Sequence, residues 1–455
     1  MRRLLALSLL AACGTDAPHA PTVTFSYPPV PADAQRAGDP AKGYDTLVNG
    51  GYISCGIPKS LFDQVFPPAA ASLRIPGRTG DNATLPYYYS AATSSEGVRV
   101  VSANCLTCHA GSVNGQLIVG LGAADRDFTG DQAAQVDAVG QYITDPTEHA
   151  EWQRFDDRIR AIAPYTRMPV VGVNPADDLT AVLMSHRDPA TLAWSDTPLI
   201  AIPQVAPVPV DVPPWWRMTK KHAMFYSAAG RGDHARIMMA ASLLCSDSVA
   251  EVTAIDQAFV DVRAWIESLQ PPRWPFAIDQ QLAARGRTVF DATCARCHGT
   301  YENGGTYPNE LVPLADIGTD SLLATGTAQF ADPYVQWFAQ SFWGEMSRLE
   351  PQQGYVAPPL DGIWATAPYF HNGSVPTIAA VLDSPQRPPS WTRSFQSTDY
   401  DQAAVGWKFT AVAPNPSMTT IYDTSQPGYG NGGHVYGDAL DDGDRAAVIE
   451  YLKTL

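Results

Sequence analysis

One five-residue pattern, present twice, constrains this chain more than anything else in it: Cys105-Leu106-Thr107-Cys108-His109 and Cys294-Ala295-Arg296-Cys297-His298. Two thiols three residues apart can each add to one vinyl group of a haem. The adjoining histidine is then placed to bind the iron. A redox disulfide explains a Cys-x-x-Cys pair but asks for neither the histidine nor a second copy. Zinc usually asks for ligand sets closer together in sequence. The pattern therefore predicts two covalently bound haem c groups. Cys105, Cys108, Cys294 and Cys297 are the attachment points, and His109 and His298 the iron ligands.

At 455 residues the chain is long enough for two domains. Its 39 prolines and 35 glycines point to many loops. The net charge of −16 argues against nucleic acid as a partner; it suits a positively charged one, and solubility alone explains it equally. The chain opens MRRLLALSLLAAC. Arg2 and Arg3 precede an apolar run, Leu4 to Ala12, that is too short to span a bilayer. Its ending at Cys13 resembles a bacterial lipoprotein signal, in which the cysteine is acylated. The alternative is an ordinary secretory signal with Cys13 incidental. Gly14 after the cysteine resembles the outer-membrane-directed kind. The expectation is an exported protein on the periplasmic side, lipid-anchored to the outer membrane, or secreted. Cys55 and Cys245 are left over. They form either a disulfide or two separate buried thiols, and sequence does not show which.

Residues 1–13 thus read as a leader and 14–40, rich in Pro and Ala, as an extended tether. Pro271, Pro272 and Pro275 mark a boundary between an N-terminal haem domain, 41–272, and a C-terminal one, 273–455. Asp279 can cap a helix carrying Leu282, Gly286, Val289 and Phe290, which runs straight into Cys294. Asp441 or Asp442 can cap a terminal helix with Val448, Leu452 and Leu455 on one face. Further helices are expected near 232–244, with Ile237, Met238 and Ala241 inward, and over 252–269, with Ile255, Phe259, Val262 and Ile266 on one face. The second half here resembles class I cytochrome c, in which an N-terminal helix crosses a C-terminal one. That resemblance implies Gly286 against Tyr451. The expected fold is mainly α and loop-rich, with two class I cytochrome c-like haem domains carrying long insertions.

The stretch 358–378, PPLDGIWATAPYFHNGSVPTI, resembles the signature of the bacterial dihaem cytochrome c peroxidase and MauG superfamily. Asn372 stands where the peroxidases usually have Asp. The fuller GIWATAPYFHNGSVPT form, GNGGHVYG (430–437), DVPPWW (211–216) and KKHAMFY (220–226) are closer to the rubber-oxygenase branch. The resemblance covers roughly 45 to 455. It implies a reactive first haem and an electron-transferring second haem, a small redox protein as electron partner, which the chain's acidity suits if basic, and a small-molecule oxidant.

The sixth ligands decide what each haem does. The remaining histidines are His19, His149, His186, His222, His234, His371 and His434. The resemblance implies His434 as the second haem's sixth ligand, with Met346 and Met418 as rivals. His371 is expected to act structurally or to bond a haem propionate. Trp215 and Trp216 are the candidates for an apolar, oxygen-accepting wall near the first haem, with Phe225 behind them; core packing explains them equally. A peroxidase also wants an acid or base at the open iron. Between the motifs the only glutamates are Glu148, Glu151, Glu251 and Glu267, none in a recognisable peroxidase context. The function expected is a dihaem oxidoreductase that activates oxygen or peroxide. The alternative is a non-catalytic electron-transfer cytochrome. The substrate stays open among peroxide, an unsaturated lipid such as a polyisoprenoid, and an oxidisable protein.

Overall fold

A computed structural model describes residues 27–203, 206–302 and 304–455. The expected leader, Cys13 and His19 lie outside these residues. The protein is about 40% helix and 13% strand, the rest loop. Its strands are short ties between helices. In one of two three-stranded antiparallel sheets among the described residues, Arg99–Ala103 lies between Ile57–Pro58 and Tyr89–Thr93. Among the described residues, no helix is long and apolar enough to cross a membrane.

Asp279 caps the helix Gln280–Thr293 by accepting from the Gln281 and Leu282 amides. Asp441 does the same for the helix Asp442–Leu452 through Asp444. The two helices cross at Gly286. A Cβ there would fall on the Ala447 carbonyl oxygen, so only glycine allows the approach. The expected partner was Tyr451. Its ring instead meets Phe290, 5.2 Å away, while the glycine meets backbone.

The first half repeats this clasp, which the sequence did not announce. Helix Pro40–Asn49 crosses helix Val249–Ser268, and a Cβ on Gly43 would fall on the Asp261 carbonyl. Beside that crossing the Tyr44 and Trp265 rings meet at 5.2 Å. Phe259, Val262 and Ile266 are buried as expected. The helix expected near 232–244 is shorter: α-helix spans only His234–Met238 and a 3-10 segment continues to Leu244. The tightening rotates Met239, Ser242 and Leu243 inward in place of Met238 and Ala241.

Two further expectations change. Residues 27–40 are not a free tether. The Arg36 guanidinium bonds Asp233 and Asp256, the Val30 amide bonds the Asn309 carbonyl, and Asp33 pairs with Arg348. Nor does the boundary near 272 divide the cores. Trp337, Phe338, Phe342 and Trp343 from the second half pack in the first core with Leu47, Leu106 and Phe259. Val113, Leu121 and Trp216 from the first half pack in the second core with Phe290, Trp364 and Val448.

Candidate functional site

The sheet delivers the first motif. Strand Arg99–Ala103 ends just before Asn104, whose side chain fixes the turn. Its Oδ1 accepts from the Leu106 amide at 2.8 Å, and its Nδ2 donates to the Tyr87 carbonyl at 3.0 Å and to Ser90 Oγ at 2.8 Å. Cys105 and Cys108 follow as free thiols. Burial pushes Cys105 up to about 11. Asn174 Nδ2 donates to Cys108 Sγ at 2.9 Å, a contact with no signal in the sequence. His109 is half-buried, and desolvation lowers its pKa to about 4 and keeps the imidazole neutral, the form that offers a lone pair to a metal. Its Nδ1 has no hydrogen-bond partner.

Trp215 lies flat against His109, ring centroids 4.6 Å apart and planes 21° apart. A ring stacked on an imidazole face lies beside the Nε2 direction, not across from it. Trp215 therefore holds the His109 ring by its face and does not lie across from its Nε2. Trp216 points the other way, into the second core, and its Nε1 donates to the Asp361 carbonyl at 2.8 Å. Phe225 is not with them; it covers Gly230 from a left-handed backbone position, φ 69°. The four glutamates all have partners elsewhere: Glu148 with Ser60, Glu151 with Arg154, Glu251 at the cap of Val249–Ser268, and Glu267 with Arg263.

The helix Gln280–Thr293 delivers the second motif. Cys294 and Cys297 are also free thiols, with Cys294 pushed up to about 12 by burial. His298 Nδ1 donates to the Pro358 carbonyl at 2.8 Å, which leaves its Nε2 as the lone pair. The Tyr301 hydroxyl donates to the His298 carbonyl at 2.9 Å and accepts from the Leu360 amide at 2.6 Å. The signature segment 358–378 thus packs directly on the motif.

His434 comes to the same place from far along the chain. Its ring centroid is 6.1 Å from that of His298. Burial and the nearby His298 lower its pKa to about 3, and its Nδ1 is unpartnered. Phe370 and Tyr436 flank it at 5.8 and 5.2 Å. The separation admits one metal ion at about 2 Å from a nitrogen of each ring. Two imidazoles are too few for a structural zinc site, which takes four ligands. Among the described residues, no group of three or more metal-binding side chains assembles anywhere. A haem iron brings four nitrogens of its own and asks the protein for two. The donor set therefore fits haem, with two thiols alongside for attachment.

The rivals of His434 are elsewhere. Met346 and Met418 are 47% and 50% exposed, and Met346 Sδ lies against Arg236. His371 stacks on Tyr355 at 4.3 Å. Its neighbour Asn372 donates to the Gly428 and Gly430 carbonyls, 2.9 Å each, tying the signature to the glycine loop. His186 and His222 are each satisfied by a carbonyl. Both ring nitrogens of His234 are buried without a hydrogen-bond partner among the described residues. No periodicity or motif marks it.

Residues 354–392 match the family model described as RoxA-like, cytochrome c-like. The match implies covalently bound haem c and an oxidoreductase-type cytochrome. It supports the rubber-oxygenase-like branch. Two proteins of Sinorhizobium fredii (strain NBRC 101917 / NGR234) are also similar to this chain. The uncharacterized protein y4iM is 31% identical over 258 residues, 45% of this chain and 56% of that protein. The uncharacterized protein y4iJ is 31% identical over 252 residues, 41% of this chain and 41% of that protein. The chain thus spans about half the length of the curated relatives it matches.

Proposed function

We propose that this protein is a dihaem c-type oxidoreductase. One haem is held by Cys105, Cys108 and His109, and the other by Cys294, Cys297 and His298 with His434 opposite. The first site takes oxygen or peroxide and the second passes electrons. One observation carries the reading: His298 and His434 face each other at 6.1 Å, whereas no ring contact joins His109 to another histidine among the described residues.

When bound, haem supplies an iron that changes charge by one electron, and an iron with a free position also takes a small oxidant. The chain's own residues do the rest. Pro358 holds His298 in the tautomer that ligates through Nε2. Trp215 keeps the His109 ring in one orientation. Trp215 and Trp216, adjacent in sequence, face different cores. Trp216 reaches the Asp361 carbonyl; the neighbouring Leu360 amide bonds Tyr301, which bonds the His298 carbonyl. This contact chain joins the two ligand histidines without a break in packing. Val435 and Tyr436, 53% and 42% exposed beside His434, bring the second site to the surface, where a basic redox protein can approach. The protein is exported to the periplasmic side, with a lipid anchor at Cys13, or secreted.

The test is an EPR spectrum of the ferric protein, with haem counted as pyridine haemochrome. Two haems, one low-spin and one high-spin, are expected. Two low-spin haems would replace this reading with that of an electron carrier. One haem would end the dihaem proposal.

A further inference from the structure

Arg387 is buried, and among the described residues its guanidinium hydrogen-bonds only to backbone carbonyls. Nε donates to Ala380 O and Nη2 to Val381 O, 3.0 Å each. These belong to the helix Ile378–Leu382, whose last carbonyls lack partners within the helix. The other three bonds go to the glycine loop. Nη1 donates to Asn431 O at 2.8 Å and Gly433 O at 2.6 Å, and Nη2 to His434 O at 3.0 Å. Asn431 adds a return bond, Nδ2 to Pro388 O at 2.9 Å. The guanidinium also lies over the Phe370 ring, 4.9 Å from its centroid, and Phe370 flanks His434.

That loop needs a clamp. Gly430, Gly432 and Gly433 give it wide conformational freedom. Gly433 and His434 both sit in the left-handed region, φ 68° and 45°. For a residue with a Cβ that conformation is strained. Such a conformation persists only where the surroundings hold it. Asn372 ties the loop's start and the Ile317 carbonyl accepts from the His434 amide, but among the described residues only Arg387 bonds the Gly433 and His434 carbonyls. Among the described residues no carboxylate pairs with this arginine, so its buried fork serves the backbone alone.

We infer that Arg387 is the positioning residue that fixes His434 opposite His298, by fastening the carbonyls of 431–434 to the end of the Ile378–Leu382 helix. The inference rests on the reading of His434 as a ligand. Arg387 touches no reacting atom and acts through the loop. Lysine keeps the charge but not the planar fork, so it cannot replace the five bonds.

The experiment uses the full haem-loaded chain in three variants: Arg387→Gln, Arg387→Lys and His434→Ala. Ferric EPR and cyanide titration read the second haem. The Arg387 variants are expected to convert part of its low-spin signal to high-spin. Cyanide, which must displace His434, is expected to bind roughly 10- to 100-fold more tightly at that haem. Added imidazole should restore the low-spin signal. If His434→Ala leaves the second haem's spectrum unchanged, the ligand reading itself falls. If His434→Ala changes it while both Arg387 variants keep the wild-type spectrum and cyanide affinity, the clamp is refuted and the ligand stands. The clamp is also refuted if the Arg387 variants fail to load a second haem that His434→Ala loads, because a positioning residue is not needed more than the ligand it positions.

Discussion

Cys55 and Cys245 are joined by a disulfide across a sequence separation of 190 residues, with Cα atoms 5.3 Å apart. It fastens the approach to the first strand to the end of the 3-10 segment Met239–Leu244, on the first core. The Cys55 amide also bonds Cys245 Sγ, at 3.0 Å. Closing so long a loop restricts the unfolded chain strongly. The Cys55→Ser/Cys245→Ser double variant is expected to lose about 2–4 kcal/mol. Chemical denaturation under oxidising conditions checks this; an unchanged midpoint would show that the core alone holds this region.

The two proposed attachment motifs are expected to fill independently. Cys105→Ala/Cys108→Ala is expected to leave one haem per chain and only the low-spin signal. Cys294→Ala/Cys297→Ala is expected to leave one haem and only the high-spin signal. Pyridine haemochrome with EPR reads both. The assignment of motif to spin state is wrong if the two variants show the reverse.

The helix clasps are intolerant of a methyl group. Gly286→Ala places Cβ on the Ala447 carbonyl and Gly43→Ala places it on that of Asp261. Backbone must shift in each case, at a cost of about 2–3 kcal/mol, more than the roughly 1 kcal/mol that alanine's helix preference returns. Thermal unfolding of each variant checks this. A gain in stability would mean that the helices separate freely.

Three arginines meet on one carboxylate. Asp247 bonds Arg158 at 2.6 Å, Arg187 at 2.5 Å and Arg154 at 2.8 Å. Burial alone would raise its pKa, but these guanidiniums outweigh burial and hold it below the usual 3.8. A carboxyl lowered on folding adds stability above its unfolded pKa and loses it as pH falls through the folded value. Asp247→Asn is expected to cost about 2–3 kcal/mol at pH 7, below the 3–5 kcal/mol of a fully buried pair because of solvent screening. The gap from wild type should shrink as pH falls below about 3.8. Denaturation between pH 7 and pH 2 measures it; a gap that does not change with pH would refute it.

What could be read in advance was local. The attachment motifs are contiguous. The helices Gln280–Thr293 and Asp442–Leu452 show their caps and apolar stripes within a dozen residues. His434 came from the likeness of its glycine loop to a known pattern. What could not be read depends on distance in the fold. Gly43 lies far ahead of Cys105, with a sheet between, so its clasp on Asp261 looks like nothing in sequence. Arg387 acts on carbonyls, which every residue carries, so its partners leave no trace. Trp216 seemed to belong with Trp215 because they are adjacent. On a 3-10 turn neighbouring side chains diverge, and these two enter different cores.

The exchange of side chains between the cores makes the protein indivisible in a way its sequence hides. A genetic cut at the prolines near 272 would divide the polypeptide and not the molecule. Trp343, 1% exposed in the first core, would be stranded on the second fragment, and Trp216 on the first. Each fragment would display as open surface what the other was made to cover. The halves look like two proteins in tandem, yet each is the other's missing interior.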